Sequence, residues 1–148
     1  MNYTLRQATE KDSLFFYELK KLVLKGYVEK IWGWDEVVQQ AYHRDNYRPI
    51  DTLIIEVEGN DAGTVEIRED ENLIFICSLY IYPKYQGASI GSSIVKMYLD
   101  KAIDKNKTVA LEVLRLNTKA KALYERLGFK VIEEKSDGVK IYMMSGQQ

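Results

Sequence analysis

The chain opens with a period of two. In NYTLRQAT, Tyr3, Leu5 and Gln7 alternate with Asn2, Thr4 and Arg6, as in a strand. Thr9 or Asp12 suits the cap of the next segment, where Leu14, Phe15, Leu19, Leu22 and Val23 fall at helical spacing. A second helical segment is expected from about Trp34 to Arg44, with Asp35 and Glu36 placed to favour its first turn. TLIIEVE and DAGTVEIRE flank Gly59-Asn60, a hairpin signal. NLIFICSLYIYP has almost no polar interruption and reads as a central strand covered on both faces, stopped by Pro83. Ile90, Ile94, Met97, Tyr98 and Leu99 then form the stripe of a third helix, running to about Lys107. TVALEVL is a further buried strand. TKAKALYERLG is a short helix with Ala120, Leu123 and Leu127 inward and Gly128 as its stop. FKVIEEK and VKIYMM, joined around Asp137-Gly138, read as an antiparallel pair. The resulting order is βααβββαβαββ. It predicts an α/β (α+β) domain with a mixed, mostly antiparallel sheet flanked by about four helices.

The 148 residues suit one domain, 1–148, and no repeat, low-complexity tract or linker divides them. No run approaches the roughly 18 apolar residues of a membrane span, and no leader pattern opens the chain. The lone cysteine, Cys77, sits in an apolar run and cannot form an internal disulfide. These features point to the cytoplasm and to no membrane partner. With one histidine and one cysteine, the composition speaks against a zinc site or a Cys/His catalytic pair, so no metal is expected.

The net charge of −1 conceals an asymmetry. Residues 84–130 carry ten Lys/Arg against four Asp/Glu, while the first 83 carry nine against fifteen. The basic stretch suits an anion and the acidic one a cation, unless both are solvated surface. The basic stretch has no aromatic-interleaved patch, so nucleic acid is not an expected partner.

One segment is chemically distinctive. YQGASIGSS, residues 85–93, places two glycines, an alanine and three serines between the long strand and the third helix. Glycine permits positive φ and close approach of a ligand. A turn entering a helix presents free backbone N–H groups, which with the helix dipole attract phosphate. A tight connection alone explains the same residues. There is no G-x-x-x-x-G-K-[ST] and no G-x-G-x-x-G with its acidic partner, so neither standard phosphate fingerprint applies.

Two motifs together carry a resemblance. LYIYPKYQGASIGSSIV, followed by LEVLRLNTKAKALYERLGFKV, is similar to the GNAT superfamily of N-acyltransferases. Gln86 and Gly91 match the ends of the family's Gln/Arg-x-x-Gly-x-Gly/Ala loop; Ser89 stands where the family usually has glycine. Asn117, Ala120, Leu123, Tyr124, Gly128 and Phe129 match its second motif. GYVEKIWGWDE also resembles a subset of these proteins. The resemblance implies a GNAT-like domain that moves an acetyl group from acetyl-CoA to a primary amine of a small molecule or peptide, by direct attack in a ternary complex.

Residue roles follow from that resemblance. The backbone from Gln86 through Gly87, Ala88, Ser89, Ile90 and Gly91 to Ser92 would take the CoA pyrophosphate, with Ser89 in helical or bridge geometry needing no positive φ. Leu79, Tyr80 and Ile81 would end a strand that splays from TVALEVL, leaving a gap for the pantetheine arm and an N–H for the oxyanion. Asn117 would contact that arm, or simply cap the helix that follows. Tyr124 is the candidate general acid, since a phenol stays protonated at neutral pH. The base is open among Glu66, Ser78, Tyr80 and Glu112. Glu112 is singled out because it interrupts an apolar strand, where a carboxylate is costly unless paired or wetted. Lys84, Lys96, Lys119, Lys121 and Arg126 are available to attract the CoA phosphates, or are plain surface charges.

Tyr27, Trp32 and Trp34, expected in a loop between the first two helices, either line the acceptor pocket, with a ring facing an ammonium group, or anchor that loop. Two other readings compete with the enzyme. One is a non-catalytic acyl-CoA-binding sensor or interaction domain. The other is an α/β binding module without CoA, whose small-residue loop is only a turn. Either a monomer or a homodimer fits the sequence.

Overall fold

The computed structural model describes residues 2–146. The elements follow the expected order: β1 (Thr4–Gln7), α1 (Ser13–Ile31), α2 (Glu36–Asn46), β2 (Thr52–Val57), β3 (Asn60–Glu69), β4 (Leu73–Ile81), α3 (Ile90–Asp104), β5 (Thr108–Leu114), α4 (Thr118–Arg126), β6 (Phe129–Val131) and β7 (Lys140–Ser145). The sheet has seven strands in the order β1-β2-β3-β4-β5-β7-β6. It is mixed: β4 and β5 pair in parallel, while β1–β2, β2–β3, β5–β7 and β6–β7 are antiparallel. Two compact units make up the chain, Met1–Glu66 with Leu79–Ala88, and Ile67–Ser78 with Ser89–Gln148.

In the first unit, β2 pairs antiparallel with β1 on one side and with β3 on the other, most of β3 belonging to this unit. The β2–β3 turn is Glu58-Gly59, one residue earlier than expected, because Asn60 already pairs with Val57. Both turn residues have positive φ, 52° and 79°, the pattern of a hairpin turn whose twist matches the strands. Gly63 has no room for a side chain: a Cβ there would lie 2.4 Å from the Tyr80 carbonyl oxygen. Helix α1 starts behind a reciprocal cap in which Thr9 accepts from Lys11 N–H and Asp12 accepts from Thr9 N–H. Its buried face is Phe16, Tyr17 and Leu19, whereas Leu14 and Leu22 are exposed. The periodicity predicts the helix but not its inward face, since an apolar cluster spread around a helix does not say which side is buried.

The second unit has α3 packed on β5. Ile90, Ile94, Val95, Tyr98 and Ala102 are its buried residues. Helix α4 stops at Gly128, whose φ of 97° reverses the backbone. Phe129, buried in β6, meets the Tyr124 ring edge-on at 5.7 Å between centroids.

Candidate functional site

The loop entering α3 is held at its start. Gln86 Nε2 donates to the Ile81 carbonyl at 2.8 Å, tying the loop back to the last residue of β4. A short turn at Pro83–Tyr85 precedes it. The backbone then enters the left-handed region at Gly87, with φ of 81°, and again at Ser89, with φ of 65° and ψ of 13°. The expectation that Ser89 would avoid positive φ is therefore overturned. A non-glycine residue in this region is disfavoured by contact of Cβ with the carbonyl. Ser89 is also the N-cap of α3: Ser93 N–H donates to its carbonyl at 3.0 Å. Its side chain does not cap the helix. Ser92 Oγ instead donates to the Ser89 carbonyl at 3.2 Å. The helix begins at Ile90, so Ile90, Gly91 and Ser92 supply the first-turn N–H groups, which an α-helix leaves without partners inside itself.

The parallel ladder between β4 and β5 runs from Leu73↔Thr108 to Ile76↔Leu111. β4 continues to Ile81 and β5 to Leu114. Leu79, Tyr80 and Ile81 thus lie beyond the last residues that β4 pairs with β5. Ser78 lies there as well, and its hydroxyl oxygen is buried without a hydrogen-bond partner among the described residues.

Asn117 is the N-cap of α4, with Oδ1 accepting from Ala120 N–H at 3.2 Å. The side chain is engaged in the capping role that the sequence left open. Tyr124 is half-buried on α4, and burial raises its phenol above the ordinary tyrosine value. Glu112 is exposed and faces Tyr142 across the β5–β7 pair. The premise for choosing it, a carboxylate forced into an apolar interior, does not hold. Strand alternation puts Glu112 on the face opposite Leu111 and Val113, both buried.

The aromatic residues of the first unit divide. α1 extends to Ile31, so Tyr27 lies on the helix and not in a loop, and only residues 32–35 connect α1 to α2. Trp32 is 62% exposed. Trp34 is anchored: its Nε1 donates to Glu36 Oε2 at 3.0 Å. The same carboxylate accepts from Tyr17 Oη at 2.6 Å and from Lys21 Nζ. Lys21, then Tyr17 and Trp34, pull the Glu36 carboxyl down to about 2. Burial, reinforced by Glu36, pushes Tyr17 up to about 12. Sequence reasoning missed this hub because its donors lie up to 19 residues from Glu36. It likewise missed the bond of 2.7 Å between Ser13 Oγ and His43 Nε2. Among the described residues no group of three or more His, Cys, Asp or Glu is placed to hold a metal ion, and no helix is long and apolar enough to cross a membrane.

Comparison with known proteins agrees with these motifs. The family model described as acetyltransferase (GNAT) family matches residues 15–129. A Bos taurus thialysine N-epsilon-acetyltransferase is 33% identical over 75 residues, which are 50% of this chain and 44% of that protein. The matched region is thus less than half the length of these curated relatives. Among solved structures, the PaiA N-acetyltransferase of Thermoplasma acidophilum in complex with coenzyme A is similar with a TM-score of 0.77, 20% identity, and coverage of 99% of this chain and 100% of that one. The ribosomal-protein-S18-alanine N-acetyltransferase of Escherichia coli gives a TM-score of 0.68 at 17% identity, covering 99% and 97%. At these identities the structures attest the fold, and the family match settles the rest: this chain belongs to the GNAT acetyltransferase family.

Proposed function

We propose that the protein, acting as one domain over residues 1–148, is an acetyl-CoA-dependent N-acetyltransferase whose acceptor is a primary amine on a small molecule or peptide. The observation that carries this reading is the turn from Gln86 into α3. Left-handed backbone at Gly87, a loop start tied to Ile81 by Gln86, and the open first turn of a helix of 15 residues make a construction suited to phosphate oxygens. The residues present fit an acyl-CoA: backbone N–H groups from Gln86 to Ser92 for the pyrophosphate, and the end of β4 beyond its ladder with β5, at Leu79, Tyr80 and Ile81, for a chain that pairs like an added strand. When bound, acetyl-CoA supplies the activated acyl group.

The chain's own residues do the rest. A backbone N–H near the end of β4 would be the donor to the acyl oxygen as it gains charge. Tyr124 holds a proton on its phenol oxygen and passes it to the leaving sulfur. Its raised pKa keeps that proton in place throughout the neutral range. The acidic bias of the first 83 residues favours a cationic amine, and exposed Trp32 offers a ring face to it. Names of relatives support the reading: one is a thialysine N-epsilon-acetyltransferase and another a ribosomal-protein-S18-alanine N-acetyltransferase.

The test is acetyl-CoA binding by calorimetry, followed by free-thiol release with a panel of amines. Binding followed by thiol release with at least one amine is the expected result. Binding without release across a broad panel would favour the non-catalytic sensor, and no binding would reject both. Tyr124→Phe is expected to lower turnover at least about tenfold with little change in acetyl-CoA affinity. Wild-type turnover in that variant would remove Tyr124 from the mechanism.

A further inference from the structure

Two side-chain oxygens among the described residues are buried with no hydrogen-bond partner, Thr64 Oγ1 and Ser78 Oγ. Burying a hydroxyl without a partner costs stability, so each calls for an account. Their settings differ. Thr64 sits inside the β2–β3 ladder, opposite Ile54, and is wholly buried. Ser78 sits on β4 two residues beyond the last β4–β5 pair, Ile76↔Leu111. Strand alternation places it on the face of Ile74 and Ile76, both buried. Continuing the parallel register brings it beside Val113, an apolar neighbour, while Glu112 points to the other face. A serine in this row of isoleucines adds nothing to packing that an alanine would not.

Resting on the acyl-CoA reading, we propose that Ser78 is a ligand-binding residue whose hydroxyl finds its partner only when an acyl-CoA enters beside the stretch of β4 that lies beyond its ladder with β5. Oγ–H then donates to a carbonyl oxygen of the acyl-CoA arm. The ligand-free protein bears the cost of the lone hydroxyl and binding relieves it, so removing the hydroxyl acts in opposite directions on the two states.

The experiment compares wild type, Ser78→Ala and Ser78→Thr by thermal melting without ligand and by calorimetric titration with acetyl-CoA. Ser78→Ala is expected to melt about 2–4 °C higher. It is also expected to bind acetyl-CoA about three- to tenfold more weakly, the worth of one neutral hydrogen bond. Ser78→Thr keeps the hydroxyl and binds within about twofold of wild type. Ser78→Cys, which keeps the volume and weakens the donor, gives a second measure of the binding loss should Ser78→Ala not fold. Thr64→Val is the control: it melts higher and binds unchanged. Equal affinity in wild type and Ser78→Ala overturns the inference and leaves the acyl-CoA reading standing. A Ser78→Ala protein that melts lower and binds normally makes the hydroxyl a structural partner, and also overturns it. Wild type that fails to bind acetyl-CoA overturns the reading itself.

Discussion

Ser89 shows how one backbone angle separates a motif from its working. The sequence marks the position as a departure from glycine, and the structure puts it at φ 65°, where glycine would be unstrained. A side chain in that region costs on the order of 1–2 kcal/mol. Glycine removes this strain but also frees the unfolded chain, which offsets part of the gain. Ser89→Gly is therefore expected to leave stability unchanged or raise it by up to about 1 kcal/mol in urea unfolding, with acetyl-CoA binding retained. Ser89→Val, a β-branched residue in the same region, is expected to destabilise by more than about 1 kcal/mol and to weaken binding. A Ser89→Val protein as stable and as tight-binding as wild type would show that the loop does not need this conformation.

Among the elements, α1 and α2 are joined by polar contacts more than by apolar packing. No residue of α2 is buried. Glu36 gathers Tyr17 and Lys21 of α1 and Trp34 of the connecting segment, and His43 near the far end of α2 meets Ser13. The His43 ring lies among Phe16, Tyr17 and Tyr47. Burial, with Lys20 nearby, lowers its pKa, against smaller opposing effects of Ser13 and Glu10. A lowered histidine pKa means that the unfolded chain binds the proton better. The contribution is therefore present above the unfolded value near ~6.5 and is lost as pH falls below it. Glu36 acts lower on the scale: its contribution is present above the ordinary carboxylate pKa and is lost as pH falls towards about 2. Denaturant titrations across pH are expected to show His43→Gln removing part of the decline as pH falls below about 6.5. Glu36→Gln is expected to flatten the decline below about pH 4.5. Curves for both variants that parallel wild type would contradict these assignments. Sequence periodicity found both helices; it did not find their joint, because hydrogen bonds between residues 15 to 30 positions apart leave no periodic trace.

For the whole molecule, the expected signature is stabilisation by ligand. A cosubstrate that binds only the folded chain stabilises by about 2.7 kcal/mol at a hundred times its Kd. For a chain of this length that raises Tm by about 5–10 °C. Coenzyme A phosphates meeting a stretch that carries ten basic and four acidic residues should make the affinity fall with added salt. Scanning Tm against acetyl-CoA at low and high salt checks both. A Tm indifferent to acetyl-CoA at every concentration would return the loop to the status of a turn.

The sequence by itself determined the element order, the mixed sheet, the strand-to-helix turn and the family, because each rests on local periods or on contiguous motifs. Gly128 ended α4 and Asn117 capped it for the same local reason. Only the tertiary structure decided which face of α1 turns inward, where the β4–β5 ladder stops, that Glu112 is exposed, that Ser89 is left-handed and that the Ser78 hydroxyl has no partner among the described residues. Those properties are set by what packs or pairs against a residue from elsewhere in the chain. Binary patterning records that a strand is buried; it carries no record of the step at which its neighbour parts from it.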